Sequence, residues 1–192
     1  MAGSPQTLSL DDRRRVASWA AECAEAVLHL FELECPTDLR VRAAIQQARA
    51  FASGELAVGM AIRRRGGDAG AAARTAPTAW AKAAASAAEQ AAACAHMGAH
   101  ALGAAGYAAV AIAMSAEDHQ RDGVLSEVCL RQVDSMTDDV ARPLASLPVL
   151  GENRSGPLAA GRLSSGRVGQ AIRILQAELR RAVDVSGEKP ST

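Results

Sequence analysis

The sequence predicts an all-α protein, folded as a single-domain bundle of about six or seven helices. Alanine, the strongest helix former, occupies 45 of the 192 positions, whereas aromatic residues make up only 3%. Strands draw on β-branched and aromatic side chains, so this composition disfavours a sheet. Helix caps and apolar residues at steps of three and four recur along the chain. We therefore expect more than roughly half of the residues in helices, above the usual third.

The length of 192 residues fits one domain. We predict the helical bundle over residues 8–185, between a flexible N-terminus at 1–7 and a flexible C-terminal tail at 186–192. One irregular loop, at about 147–166, interrupts the bundle.

The first helix is predicted from a capping box formed by Ser9 and Asp12, and it runs to about Leu33, before Pro36. Its buried face comprises Val16, Trp19, Cys23, Val27 and Leu30. A second stripe on the same helix is entirely polar, which is typical of a solvated face; it comprises Asp11, Arg15, Ser18, Glu22, Glu25, His29 and Glu32.

The second helix is predicted at about Asp38–Ser53, with Gly54 as its stop signal. A third segment, at 55–65, runs into the glycine-rich sequence 66–70, which should break it.

Residues 69–113 contain 24 alanines and are predicted to form two helices, near 77–95 and 97–114. Pro77 suits the first turn of the former, and Gly98 is a weak signal for the turn between them.

Ser115 and Asp118 predict the start of the next helix, and Pro143 should end it. The loop that follows is rich in glycine and proline. The last helix is predicted at about 166–184.

Charge and hydropathy exclude two classes of partner. Lys and Arg number 21, and so do Asp and Glu, so no net charge attracts nucleic acid or an anionic membrane. The uncharged stretch 91–116 is long enough to span a bilayer, but its alanines, glycines and two histidines favour a buried helix of a soluble protein. The four cysteines form no CxxC pair and no signal-peptide core precedes them, which predicts reduced thiols and a cytoplasmic location.

His96 and His100 are the candidate metal or ligand residues. Their spacing of four places both on one face of a helix, and Glu89 and Tyr107 extend the stripe by seven residues on either side. Two histidines at this spacing can bind zinc, although Met97 stands where a metalloprotease has its glutamate base. Core histidines with hydrogen-bond partners are the structural alternative.

The arginines of the irregular loop, Arg154, Arg162 and Arg167, are candidate contacts to a protein partner, with stabilisation of the loop as the alternative. The residues complete no catalytic constellation, because no nucleophile motif accompanies the scattered histidines.

Three segments carry a resemblance to a known family: Trp19–Glu25, Cys35–Ile45 and Ala95–Ala101. They resemble the Imm-5-like immunity proteins, of actinobacterial type, over about Leu8 to Met114 and more faintly over Gly151 to Leu179. The resemblance implies a helical protein of bacterial toxin–immunity systems, in which the immunity protein binds and blocks a cognate toxin. It implies no catalytic residues.

We therefore hypothesise that the chain acts by specific protein binding, neutralising a toxin. The alternative is an enzyme or a small-ligand or metal-binding protein that uses the His96/His100 face with a divalent metal. No other cofactor is predicted, and self-association of the chain stays open.

Overall fold

The computed structural model describes residues 4–64 and 67–187. About 73% of the described residues lie in helices and none lies in a β-strand, so the all-α prediction is confirmed. The α-helices are α1 (Leu10–Ala26), α2 (Leu28–Glu32), α3 (Arg40–Ser53), α4 (Val58–Arg64), α5 (Gly67–Thr75), α6 (Ala79–Ala93), α7 (His100–Ser115), α8 (Arg121–Asp134), α9 (Asp138–Ala145) and α10 (Gly166–Gly187).

These helical segments outnumber the six or seven predicted, because two predicted helices are divided and one is added. Val27, at φ −112° and ψ 1°, separates α1 from the single turn of α2. The helix expected to run from residue 118 ends at Asp134, and α9 restarts after Thr137. Pro143 lies inside α9 instead of ending it. Because α9 ends at Ala145, Pro143 lies in its last turn. There the proline removes only the one backbone hydrogen bond that its own N–H would have donated.

The added helix is α5, which forms where the glycine-rich sequence was expected to break the chain. Residues 65 and 66, at the end of the third predicted segment and the start of the glycine-rich sequence, lie outside the part of the chain that the structure describes. Gly70 is buried against α6: a Cβ at this position would lie 2.5 Å from Glu89 Oε1. The glycine therefore permits close packing of α5 on α6, and tertiary contacts outweigh its low helix propensity.

The predicted caps account for several helix ends. The Ser9 hydroxyl accepts the Asp12 backbone N–H at 3.1 Å and opens α1. Gly54 ends α3 in the left-handed conformation, at φ 85°. Thr78 caps α6 by accepting the Ala81 N–H at 3.3 Å, so Pro77 precedes the cap instead of lying in the first turn.

The alanine-rich helices α6 and α7 form the centre of the bundle and make the most extensive contact between any two helices of the described chain. Helices α1, α3, α5, α8 and α10 pack around them. Small side chains allow helix axes to approach closely, so this centre is dense. None of the described helices combines the length and hydropathy that crossing a membrane requires.

The N-terminal segment packs onto the bundle two residues before the boundary predicted at Leu8. Gln6 is only 1% exposed, and its side-chain amide donates to the Ser155 carbonyl at 2.8 Å and accepts the Leu158 N–H at 2.9 Å. The backbone carbonyl of Gln6 also accepts the Ala99 N–H at 3.1 Å. Residues 1–3 of the predicted flexible N-terminus lie outside the described part.

At the other end, α10 continues to Gly187, so it includes the first two residues of the predicted tail. Residues 188–192 lie outside the described part.

Three of the four cysteines, Cys23, Cys94 and Cys129, are buried, and Cys35 is half-buried. Burial raises the pKa of the Cys129 thiol from its ordinary value of 9.0 to about 12. Burial also raises the pKa of Cys23 and of Cys94, and Glu22 adds to the effect at Cys23. The three buried thiols therefore stay protonated in the folded chain under conditions that ionise an exposed thiol.

We expect the free energy of unfolding to fall as the pH rises above about 9. In this range the unfolded thiols lose protons while the buried thiols keep them, so deprotonation favours the unfolded state. Urea unfolding under reducing conditions at a series of pH values measures the effect. Cys35→Ala is the control and should keep the same pH dependence, and a stability that is constant through this range would contradict the expectation.

Candidate functional site

His96 and His100 do not share a helix. Helix α6 ends at Ala93 and α7 begins at His100, so His96 lies in the turn between them. The backbone N–H groups of His96 and Met97 both donate to the Ala93 carbonyl. The expectation of a continuous helical face is therefore wrong, because the turn between the two central helices falls within the histidine pair.

His100 belongs to a polar contact between the central helices. Its Nδ1 lies 2.8 Å from Oε1 of Gln90, a side chain that is only 4% exposed. Since an amide oxygen accepts, this contact requires the proton on Nδ1. Gly103 makes room for it, because a Cβ there would lie 2.7 Å from the same oxygen. Within the described part, no three His, Cys, Asp or Glu side chains cluster closely enough to hold a metal ion.

The loop arginine Arg162 contacts two residues of the predicted histidine stripe, Glu89 and Tyr107. Its Nη2 lies 2.9 Å from Glu89 Oε2 on α6, and its guanidinium carbon lies 5.7 Å from the centre of the Tyr107 ring on α7. Leu163, beside it, packs against Gly103. The structure thus brings together two sets of candidates that the sequence left separate: the stripe Glu89, His100 and Tyr107, and one arginine of the irregular loop.

The pKa of Tyr107 depends on the charges of its two neighbours in this cluster, Arg162 and Glu89. Burial raises the pKa of its hydroxyl, Arg162 opposes the shift, and Glu89 adds to it. Cation–π contact and an ion pair therefore fasten the loop across α6 and α7 through one arginine.

Glu89→Gln is expected to lower the pKa of Tyr107, because it removes a negative charge and leaves the Arg162 charge uncompensated. Tyr107 is the only tyrosine of the chain, so the phenolate absorbance during an alkaline titration measures this group alone. Glu32→Gln, which breaks an ion pair with Arg42, is the control. An unchanged or raised pKa in Glu89→Gln would show that Glu89 does not act on the ring.

The other two loop arginines lie apart from this cluster. Arg167 pairs with Asp122 on α8, whereas Arg154 is exposed and has no ion pair within the described chain. The three arginines therefore form no common constellation: Arg162 holds the loop to α6, whereas Arg167 lies in the first turn of α10 and joins that helix to α8. Their role as partner contacts stays a prediction.

A surface groove between α1, α7 and α8 was not predicted from the sequence. A cavity of about 250 Å³ is lined by Trp19, Glu22, Cys23, Ala26, Val27, Ala108, Ile112, Val128, Arg131, Gln132 and Ser135. A second cavity, of about 280 Å³, shares Trp19, Glu22 and Ser135 and extends to α9. We call the two together the Trp19 groove.

The groove forms along the border between the buried and polar stripes of α1. Trp19 and Val27 come from the apolar stripe, and Glu22 comes from the polar one. The sequence shows both stripes, but it does not show that the wall formed by α8 leaves space beside them.

Comparison with protein families identifies the chain. The model of the family described as Imm-5 like putative immunity protein matches residues 6–139, more than two thirds of the chain. Comparison with the curated proteins and with solved structures gives no match. The matched segment includes α1, α7 and α8, whereas the loop arginines lie beyond it. The chain belongs to the Imm-5 like putative immunity protein family.

Proposed function

We propose that this chain is a cytoplasmic immunity protein that binds one specific protein, a cognate bacterial toxin, and blocks its activity. Membership of the immunity-protein family is the observation that carries the proposal. The Trp19 groove supports it, because aromatic side chains and apolar clefts are common anchoring points in protein interfaces.

The charge of the chain indicates how such a partner is recognised. Equal numbers of acidic and basic residues give no long-range attraction, so recognition depends on shape and on local charge pairs. A stable interface buries about 1,200–2,000 Å² in total. This is larger than the groove alone, so the partner also covers neighbouring helix faces, and the exposed Arg154 stays a candidate contact.

Co-expression tests the proposal. Each protein encoded beside this gene is induced in turn, in cells with the chain and, as a control, with a copy of the gene that carries an early stop codon, and a neighbour that arrests growth of the control is the candidate toxin. We expect growth with the chain and arrest with the control. Arrest in both cultures, with the chain present in soluble form, would refute the proposal.

We propose further that this function needs no metal or other cofactor, since His96 and His100 do not share a helical face. Elemental analysis of the purified chain should find far less than one metal ion per molecule, and a chelator should not change the melting temperature. Stoichiometric metal that is lost from a His96→Ala, His100→Ala double variant would instead favour the enzyme or ligand-binding alternative.

A further inference from the structure

The floor of the Trp19 groove is apolar and buried, although the groove itself is open. Trp19 is 5% exposed, and Val27 and Val128 are buried beside it. Ile112 of α7 completes the wall. The cavity of about 250 Å³ has room for one long side chain, and an aliphatic stem with a polar head suits its apolar lining and its open mouth.

An unpaired carboxylate lies at the centre of this groove. Glu22 is exposed, lines both of its cavities and accepts one hydrogen bond, at 3.4 Å, from the Ser18 hydroxyl. It forms no ion pair with any residue that the structure describes. A carboxylate over an apolar cleft favours a cation whose stem enters the cleft.

The other charges that line the groove are already compensated by neighbours. Arg131 pairs with Glu127 at 3.0 Å, and Arg15 pairs with Asp12 at 3.1 Å and with Asp139 at 3.6 Å. Glu22 is therefore the charged group in the lining of these two cavities that has no ion pair among the described residues, and it also lines a third cavity with Arg14, Arg15 and Arg49.

A second side chain that lines the groove has an acceptor without a hydrogen-bond donor. The Gln132 amide lines the cavity and donates from Nε2 to the Ala105 carbonyl at 3.2 Å. Its Oε1 is buried without a hydrogen-bond partner among the described residues. An unsatisfied buried acceptor is unfavourable, so this side of the groove is a second place where a hydrogen-bond donor would be stabilising.

We propose that the Trp19 groove is the docking site for an arginine side chain of the protein partner. The aliphatic stem packs on the partly exposed Ile112 and on the small exposed part of Trp19, above the buried Val27 and Val128, and the guanidinium donates to the Glu22 carboxylate. Arginine fits both requirements because its planar head pairs with carboxylates and packs on aromatic rings. This inference rests on the proposed function, and it places the main contact within the segment that matches the family, instead of on the loop arginines.

The first test uses the neighbouring toxin, produced as an inactive variant, and measures its affinity for the purified full chain. We expect Glu22→Arg to weaken binding by about 30-fold or more, and Glu22→Gln to weaken it less. Glu55→Arg is the matched control, because Glu55 is exposed and lies outside the groove. Circular dichroism and thermal melting verify that each variant is folded.

The second test needs no partner protein. N-acetyl-arginine amide is titrated into the isotope-labelled chain, and N-acetyl-norleucine amide serves as the uncharged probe. We expect the arginine probe to shift the indole N–H signal of Trp19, with an affinity on the order of millimolar, and to leave Trp80 unchanged. Glu22→Gln should abolish the shift, and the norleucine probe should cause none.

The two tests separate this inference from the proposed function. If the toxin binds wild type and Glu22→Arg equally, and loss of Arg154, Arg162 and Arg167 weakens it, the docking site is wrong and the immunity function stands. If the arginine probe shifts Trp19 but the toxin does not bind, the groove is a site for basic groups and the proposed function fails. An unshifted Trp19 signal overturns the inference directly.

Discussion

Gln6→Ala is expected to lower the free energy of unfolding by about 2–4 kcal/mol. The buried amide of Gln6 satisfies the Ser155 carbonyl and the Leu158 N–H, and both groups would lose their partner. Each buried polar group left unpaired costs about 1–3 kcal/mol. Urea unfolding followed by circular dichroism measures the change.

Gln46→Ala is the control for this substitution, because Gln46 is exposed on α3 and its loss should change stability by less than about 0.5 kcal/mol. If both variants unfold at the same urea concentration, the N-terminal segment does not fasten the irregular loop to the bundle.

Gly106→Leu is expected to destabilise the chain by about 2 kcal/mol, although leucine forms helices better than glycine does. A Cβ on Gly106 would lie 3.0 Å from Ile172 Cγ1 and 3.3 Å from Val168 Cγ2, so the remaining leucine atoms must push α10 away from α7. Thermal unfolding provides the comparison with the control.

The control is the same substitution at Gly123 on α8, where a Cβ would meet no atom within 4 Å. Gly123→Leu should raise stability by about 0.5 kcal/mol, because it gains helix propensity without a clash. Equal effects of the two variants would mean that α7 and α10 are not closely packed.

The sequence predicted best those helices whose ends carry a local signal. For α3, an apolar stripe and the glycine at position 54 predicted a helix at Asp38–Ser53, and the structure has Arg40–Ser53. For α10, the predicted start at residue 166 is the observed one. Stripes and caps are local properties, so they can be identified without knowledge of the fold.

The turn between α6 and α7 was predicted near residue 96, where the structure has it, but its bounds could not be placed in this way. The stretch is so rich in alanine that it has no contrast between apolar and polar faces, and Gly98 alone is a weak stop. The Gly98 and Ala99 N–H groups donate to the Thr7 and Gln6 carbonyls, so a segment distant in sequence helps to fix the turn. His96 lies in this turn, so the two histidines do not share the helical face that their spacing of four predicted.

The candidate site was predictable only in parts. Helical spacing places His100 and Tyr107 on one face of α7, but Glu89 comes from α6, and the pairing of Glu89 and Tyr107 with Arg162 depends on the path of an irregular loop. The Trp19 groove depends on the space that α8 leaves beside α1, and spacing along one helix carries no information on that distance.

Whether this chain acts by binding a toxin is tested most directly by calorimetric titration of the purified chain into the purified toxin encoded next to its gene, with toxin activity measured on the same samples. We predict saturable binding with a fixed stoichiometry and loss of toxin activity at the equivalence point. Full toxin activity in an excess of folded chain, with no heat of binding, would contradict the proposed function.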